Sequence, residues 1–137
     1  MLDKNNIIVI RGRAASFKSS LAIAIANTFI DKKVVYIDLE GHSNFRVNKN
    51  INIINSFQNL NIKNIINDND IIVIDYIELL NYKKDDLLKL KEYVCGTDKT
   101  LVLVSCRSTE PKKSDADYYL TLEDIADLMI IPDKKDN

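Results

Sequence analysis

The sequence predicts an α/β fold, a three-layer sandwich with helices covering both faces of a five-stranded parallel sheet. Three observations predict it. Short runs of β-branched residues recur without polar alternation, which marks strands buried on both faces. Stretches with apolar residues at helical spacing separate them, and strand–helix alternation of this kind builds parallel sheets. The composition permits such a core. The chain has 137 residues, 46% of them hydrophobic, with only 3 Gly and 2 Pro, which argues for one folded domain over residues 1–137 and against a disordered or fibrous chain.

The elements follow in order. Ile7-Ile8-Val9-Ile10 is the first strand, and a turn at Gly12 leads into an Ala-rich helix from Ser20 to Ile30. Lys32-Lys33 closes that helix, because positive charge suits a helix C-terminus. Val34 to Asp38 is the second strand. Between Ile51 and Ile66, apolar Ile54, Phe57, Leu60 or Ile62, and Ile65 predict an Asn-rich amphipathic helix. Ile71 to Asp75 is the third strand. A helix from Asp85 to Val94 follows, with Leu87, Leu88, Leu90 and Tyr93 as its apolar stripe and Gly96 as its stop. Leu101 to Ser105 is the fourth strand. Arg107 to Tyr118 reads as a polar loop, Thr121 to Ala126 as a short helix, and Asp127 to Ile131 as the fifth strand.

Several function classes are excluded early. A net charge of −1 leaves no overall basic footprint for nucleic acid. No apolar run approaches the roughly eighteen residues that cross a bilayer. Met1 to Asn6 lacks the apolar stretch of a secretory signal. Cys95 and Cys106 lack metal-type spacing, so two reduced thiols and a cytoplasmic location are expected.

In parallel sheets, ligands bind beyond the carboxyl ends of the strands. That rule points to Arg11–Ser19, Asp38–His42, Asp75–Glu78 and Ser105–Ser108. The first of these nearly matches the phosphate-binding loop G-x-x-x-x-G-K-[ST], as Gly12-Arg13-Ala14-Ala15-Ser16-Phe17-Lys18-Ser19, with Ser20 continuing into the helix. Backbone N–H groups of such a loop and of the helix start favour a polyphosphate, here ATP. Lys18 would reach the β- and γ-phosphates, and the Ser19 hydroxyl would ligate Mg²⁺. Phe17 stands where the pattern has glycine, and a left-handed backbone there would cost about 1–2 kcal/mol.

Asp75 ends an apolar strand, where a carboxylate can hold Mg²⁺ through its water shell. Glu40, two residues beyond the second strand, could orient or deprotonate the water that attacks the γ-phosphate, with Asp38 and Glu78 as alternatives. His42 reads as a surface residue. Ser105, Cys106 and Arg107 should face the γ-phosphate, with Ser105 or Arg107 sensing it, because a thiol is a poor hydrogen-bonding sensor. The Arg107–Tyr118 loop carries Arg107, Lys112 and Lys113 beside Asp115 and Asp117. It reads as a solvated loop, with single-stranded DNA as its alternative partner.

Residues 72–80, Ile-Val-Ile-Asp-Tyr-Ile-Glu-Leu-Leu, resemble the Walker B segment of DnaB-type replicative helicases. Val34-Val35-Tyr36-Ile37-Asp38-Leu39-Glu40-Gly41 resembles the second-strand segment of RecA, DnaB and plasmid RepA-type ATPases. Glu123-Asp124-Ile125-Ala126-Asp127 is similar to the stretch before their fifth strand, and a Phe-Lys-Ser loop is similar to phage and plasmid forms. The resemblance implies a RecA-like P-loop NTPase core with strand order 5-1-4-3-2, Glu40 as catalytic carboxylate, and Phe17 as a tolerated variant. It also implies work in DNA replication or recombination of a phage or mobile element, with a homo-oligomer or a helicase partner. Cys106 departs from the polar residue such helicases carry near this place. No arginine finger is evident unless Arg107, Arg46 or a partner supplies it, and no N-terminal helicase domain precedes the core.

Three readings follow. The first is a small ATPase in which Lys18 and Mg²⁺ stabilise the charge developing on the γ-phosphate. The second is a degenerate, non-catalytic module that binds a replication or helicase partner. The third, a small-molecule or nucleoside kinase, lacks an Arg-bearing lid.

Overall fold

The computed structural model describes residues 6–12, 18–40, 47–55, 60–106 and 116–132. The strands are β1 (Ile7–Gly12), β2 (Val34–Asp38), β3 (Ile51–Ile54), β4 (Ile71–Asp75), β5 (Thr100–Cys106) and β6 (Leu128–Ile130). The helices are α1 (Lys18–Asn27), α2 (Ile62–Asp68), α3 (Lys84–Val94) and α4 (Ala116–Ile125), with a 3-10 turn at Ile77–Leu80. The strands form one sheet in the order β3-β2-β4-β5-β1-β6, and each neighbouring pair is parallel.

Alternation along the strands divides the core in two. Ile8 and Ile10 of β1, Val34 and Tyr36 of β2, Val73 of β4, and Val102 and Val104 of β5 face Ala22, Ile23, Ile25 and Ala26 of α1. Their strand neighbours Val9, Val35, Ile37, Ile72, Ile74, Leu101 and Leu103 face the other way. There they meet Ile62 and Ile66 of α2, Leu87 and Leu90 of α3, and Leu122 and Ile125 of α4. Each central strand therefore needs apolar residues at every position, which explains the unbroken runs in the sequence.

Among the described residues the sheet has six strands where five were expected. Ile51–Ile54 was expected inside a helix but pairs with β2, from Val34 opposite Ile51 to Ile37 opposite Ile54. Three β-branched isoleucines favour extended backbone, and the free edge of β2 satisfies their amide groups. Among the described residues of the expected helix, 62–66 are helical, as part of Ile62–Asp68, capped where the Asn64 N–H donates to the Asn61 side chain at 3.1 Å; Phe57 lies outside the described residues. The order thus differs from the expected one by an edge strand outside β2, while the other five strands keep their expected neighbours.

Other boundaries also move. The first helix ends at Asn27, short of Ile30 and Lys32. Instead of a lysine pair, Asn48 closes that end, its side-chain amide donating to the Asn27 carbonyl at 2.8 Å. Helix α4 starts at Ala116, so Ala116–Tyr118 is helical rather than loop. Gly96, at φ +76°, stops the chain after α3 as expected, in a conformation that glycine adopts without strain.

Candidate functional site

The carboxyl ends of β1, β2, β4 and β5 converge on the start of α1. Arg13, Ala14, Ala15, Ser16 and Phe17 lie outside the described residues, as do His42, Arg46 and Arg107–Asp115. The structure places what flanks them. Gly12 ends β1, and Lys18 opens α1 with only 8% of its surface exposed. A lysine so buried at a helix N-terminus sits where the helix dipole already favours an anion. Ser19 is half-buried beside it, and Ser20 is exposed on the outer side of the helix.

Asp38 and Asp75 are register partners at the ends of β2 and β4 and are 1% and 3% exposed. Two carboxylates buried side by side are costly without compensating positive charge or hydrogen bonds, so this end of the sheet favours a cation. One compensation is visible. The Tyr36 hydroxyl, from the middle of β2, donates to Asp75 Oδ2 at 2.5 Å. Burial first, then the Asp75 charge, pushes the Tyr36 phenol well above its usual pKa, so it stays protonated, and Ser19 lies close enough to oppose that rise. Ser19 and Asp75, expected to share a metal, therefore both lie near one phenolic oxygen.

The donor set suits Mg²⁺. No cluster of three or more His, Cys, Asp or Glu exists among the described residues. Mg²⁺ does not need one, because it keeps several waters and takes one or two protein groups plus phosphate oxygens. Ser19 and Asp75 would supply those groups.

Glu40 lies exposed two residues past β2, on the same rim. Tyr76 follows Asp75 with φ 68°, a left-handed conformation that costs a non-glycine residue about 1–3 kcal/mol and recurs at functional sites. Its phenol lies against the Cys106 thiol. That thiol first, then partial burial, then the carboxylates of Glu40 and Glu78, push its pKa upward. Tyr76 therefore carries the rim of β4 toward both Glu40 and the end of β5.

Glu78 has a different task from the one first considered for it. Its carboxylate accepts the Ser105 hydroxyl, the Cys106 N–H at 3.0 Å and the Tyr119 hydroxyl at 3.4 Å. With three donors on two oxygens, it clamps the end of β5 to α4 and is poorly placed to activate water. The same bonds engage Ser105, which is fully buried, so its hydroxyl is directed to Glu78.

Sequence reasoning missed the Tyr36 hydroxyl and the Glu78 clamp. The signal for Tyr36 was present. A tyrosine in the otherwise aliphatic run Val34-Val35-Tyr36-Ile37 must find a buried partner for its hydroxyl. Nothing local announced Glu78, whose partners come from β5 and α4.

A parallel sheet with a buried lysine opening the helix after its first strand, and with two buried carboxylates at the ends of neighbouring strands, defines a P-loop ATPase-like domain. The profile of the bacterial DnaA ATPase domain matches residues 6–117, and the chain belongs to that family. The helicase groups that residues 72–80 resemble are not the family this profile describes.

Two solved structures share the fold. The flagellar accessory protein FlaH from Methanocaldococcus jannaschii superposes with a TM-score of 0.67 at 15% identity, over 92% of this chain and 70% of that one. A KaiC-like protein from Pyrococcus horikoshii gives a TM-score of 0.64 at 18% identity, with the same 92% and 70% coverage. No curated protein matches the sequence.

Proposed function

We propose that this chain binds ATP with Mg²⁺ at the carboxyl end of its sheet and hydrolyses it. The observation that carries the reading is the pair of buried carboxylates, Asp38 and Asp75, at neighbouring strand ends, with Asp75 held by the Tyr36 hydroxyl that Ser19 lies near, and with buried Lys18 opening α1. The backbone from Gly12 to Ser20, through Arg13, Ala14, Ala15, Ser16 and Phe17, would wrap the phosphates. Lys18 would pair with the β- and γ-phosphates, while Ser19 and Asp75 hold the cation, one directly and one through its water. Mg²⁺, when bound, would neutralise negative charge on the β- and γ-phosphates. Glu40, exposed on the rim, would orient the attacking water and accept its proton.

The test pairs two variants. Lys18→Ala should abolish ATP binding measured by isothermal titration. Glu40→Gln should bind ATP as the parent does while phosphate release falls at least a hundredfold, on the order of the loss of a positioned general base. Equal turnover in Glu40→Gln and the parent would sink the assignment of Glu40.

The resemblance of residues 72–80 to replicative helicases supports a place in DNA replication or recombination, in a phage or mobile element. Single-stranded DNA at the segment after β5, a homo-oligomer and a helicase partner belong to the same proposal. A second reading, a non-catalytic module that binds such a partner, has one observation in its favour. At the end of β5 the Cys106 thiol is engaged with Tyr76, and Ser105 with Glu78, which leaves neither aimed at a γ-phosphate. Absence of heat on titrating millimolar ATP with Mg²⁺ would favour that reading.

A further inference from the structure

Tyr36 is a fully buried side chain in the middle of β2, packed on the face that α1 covers. A phenol there could be a simple core filler, for which phenylalanine would serve as well. The hydrogen-bond inventory argues otherwise. A phenol carries a single proton. That proton goes to Asp75 Oδ2. Toward nearby Ser19 the phenolic oxygen can then act only as an acceptor. Asp75, held through Oδ2, keeps Oδ1 for a second donor such as a metal-bound water.

We propose that Tyr36 is a positioning residue for the divalent cation. Its hydroxyl fixes the Asp75 carboxylate through Oδ2, which leaves the Oδ1 oxygen for Mg²⁺ or its water. The proposal rests on the reading of Ser19 and Asp75 as the Mg²⁺ pair. Partners that orient metal ligands in this way are worth about 10- to 100-fold in metal affinity.

The experiment uses the full chain, the Tyr36→Phe variant and ADP, which avoids turnover. ADP affinity is measured in excess EDTA and then across a Mg²⁺ titration. Tyr36→Phe should weaken the apparent Mg²⁺ affinity about tenfold and leave ADP affinity in EDTA unchanged. The double variant Asp75→Ala/Tyr36→Phe should be no weaker toward Mg²⁺ than Asp75→Ala alone, because the phenol acts through that carboxylate. An unchanged Mg²⁺ affinity in Tyr36→Phe would overturn the proposal. Equal losses in the EDTA and Mg²⁺ arms would also overturn it, by showing a packing role.

Should Tyr36→Phe fail to fold, 4-fluorophenylalanine at position 36 keeps the bulk but donates no proton and must weaken Mg²⁺ in the same direction. A parent protein whose ADP affinity ignores Mg²⁺ would instead remove the cofactor reading beneath the proposal. That outcome is read from the parent alone.

Discussion

The two ends of the sheet use polar residues in opposite ways. At the amino ends of the strands, side chains close off backbone groups. The Asn6 and Ile7 N–H groups donate to Asp127 Oδ2 at 3.0 and 2.9 Å, and the Asn6 amide donates to the Thr97 and Lys99 carbonyls. The Lys99 ammonium reaches the Asn67 and Asn69 carbonyls at 3.2 and 2.6 Å, and the Lys33 N–H donates to Asp70. Every one of these bonds satisfies a main-chain group that a strand or helix end would leave open.

At the carboxyl ends, side chains bond chiefly to one another. Tyr36 binds Asp75, Ser105 binds Glu78, and Asp38 and Asp75 sit buried as neighbours. The first arrangement lowers the energy of the fold by itself. The second holds charge out of water beside Tyr76 in its left-handed conformation, features that recur where ligands bind.

Three substitutions sharpen this contrast. The largest effect is expected from Asp75→Asn at the carboxyl end. It should cut Mg²⁺-dependent nucleotide affinity on the order of a hundredfold while changing unfolding free energy by less than about 1 kcal/mol, because an amide oxygen still accepts from Tyr36. Isothermal titration and urea unfolding on the same sample check both halves. Asp127→Ala at the amino end should do the reverse. Loss of two charge-assisted bonds to the entry of β1 should cost about 1–2 kcal/mol, read as a lower urea midpoint with nucleotide affinity intact. A drop in affinity there would erase the distinction between the two ends.

The smallest effect concerns Tyr118, whose hydroxyl is buried without a hydrogen-bond partner among the described residues. Burial first, then Glu78, Tyr119 and Tyr82, raise its phenol pKa above the ordinary 10.0. The folded chain therefore keeps this proton where the unfolded chain releases it. Its contribution is fully present below pH 10 and is lost as pH rises further, at a limiting slope of about 1.4 kcal/mol per pH unit. Tyr118→Phe should flatten the fall in urea midpoint between pH 10 and 11 and change stability by no more than about 1 kcal/mol at pH 7. Parallel pH profiles for variant and parent would show that this phenol does not titrate differently on unfolding.

Sequence by itself determined the parallel sheet and the end at which to look. Strands buried on both faces must be apolar throughout, so β1, β2, β4 and β5 announced themselves, and the rule for strand ends then selected Lys18, Ser19, Asp75 and Glu40. It did not determine β3. Four residues carry too little periodicity to separate strand from helix, and only the open edge of β2 decided between them.

Nor could it apportion the polar groups at the site. Glu78 looked as free to activate water as Glu40 until β5 and α4 brought Ser105, Cys106 and Tyr119 against it. Tyr36 looked like core until folding put its hydroxyl on Asp75. Hydrophobic burial is written locally in each strand, whereas a hydrogen bond between distant segments exists only once the chain has closed around it.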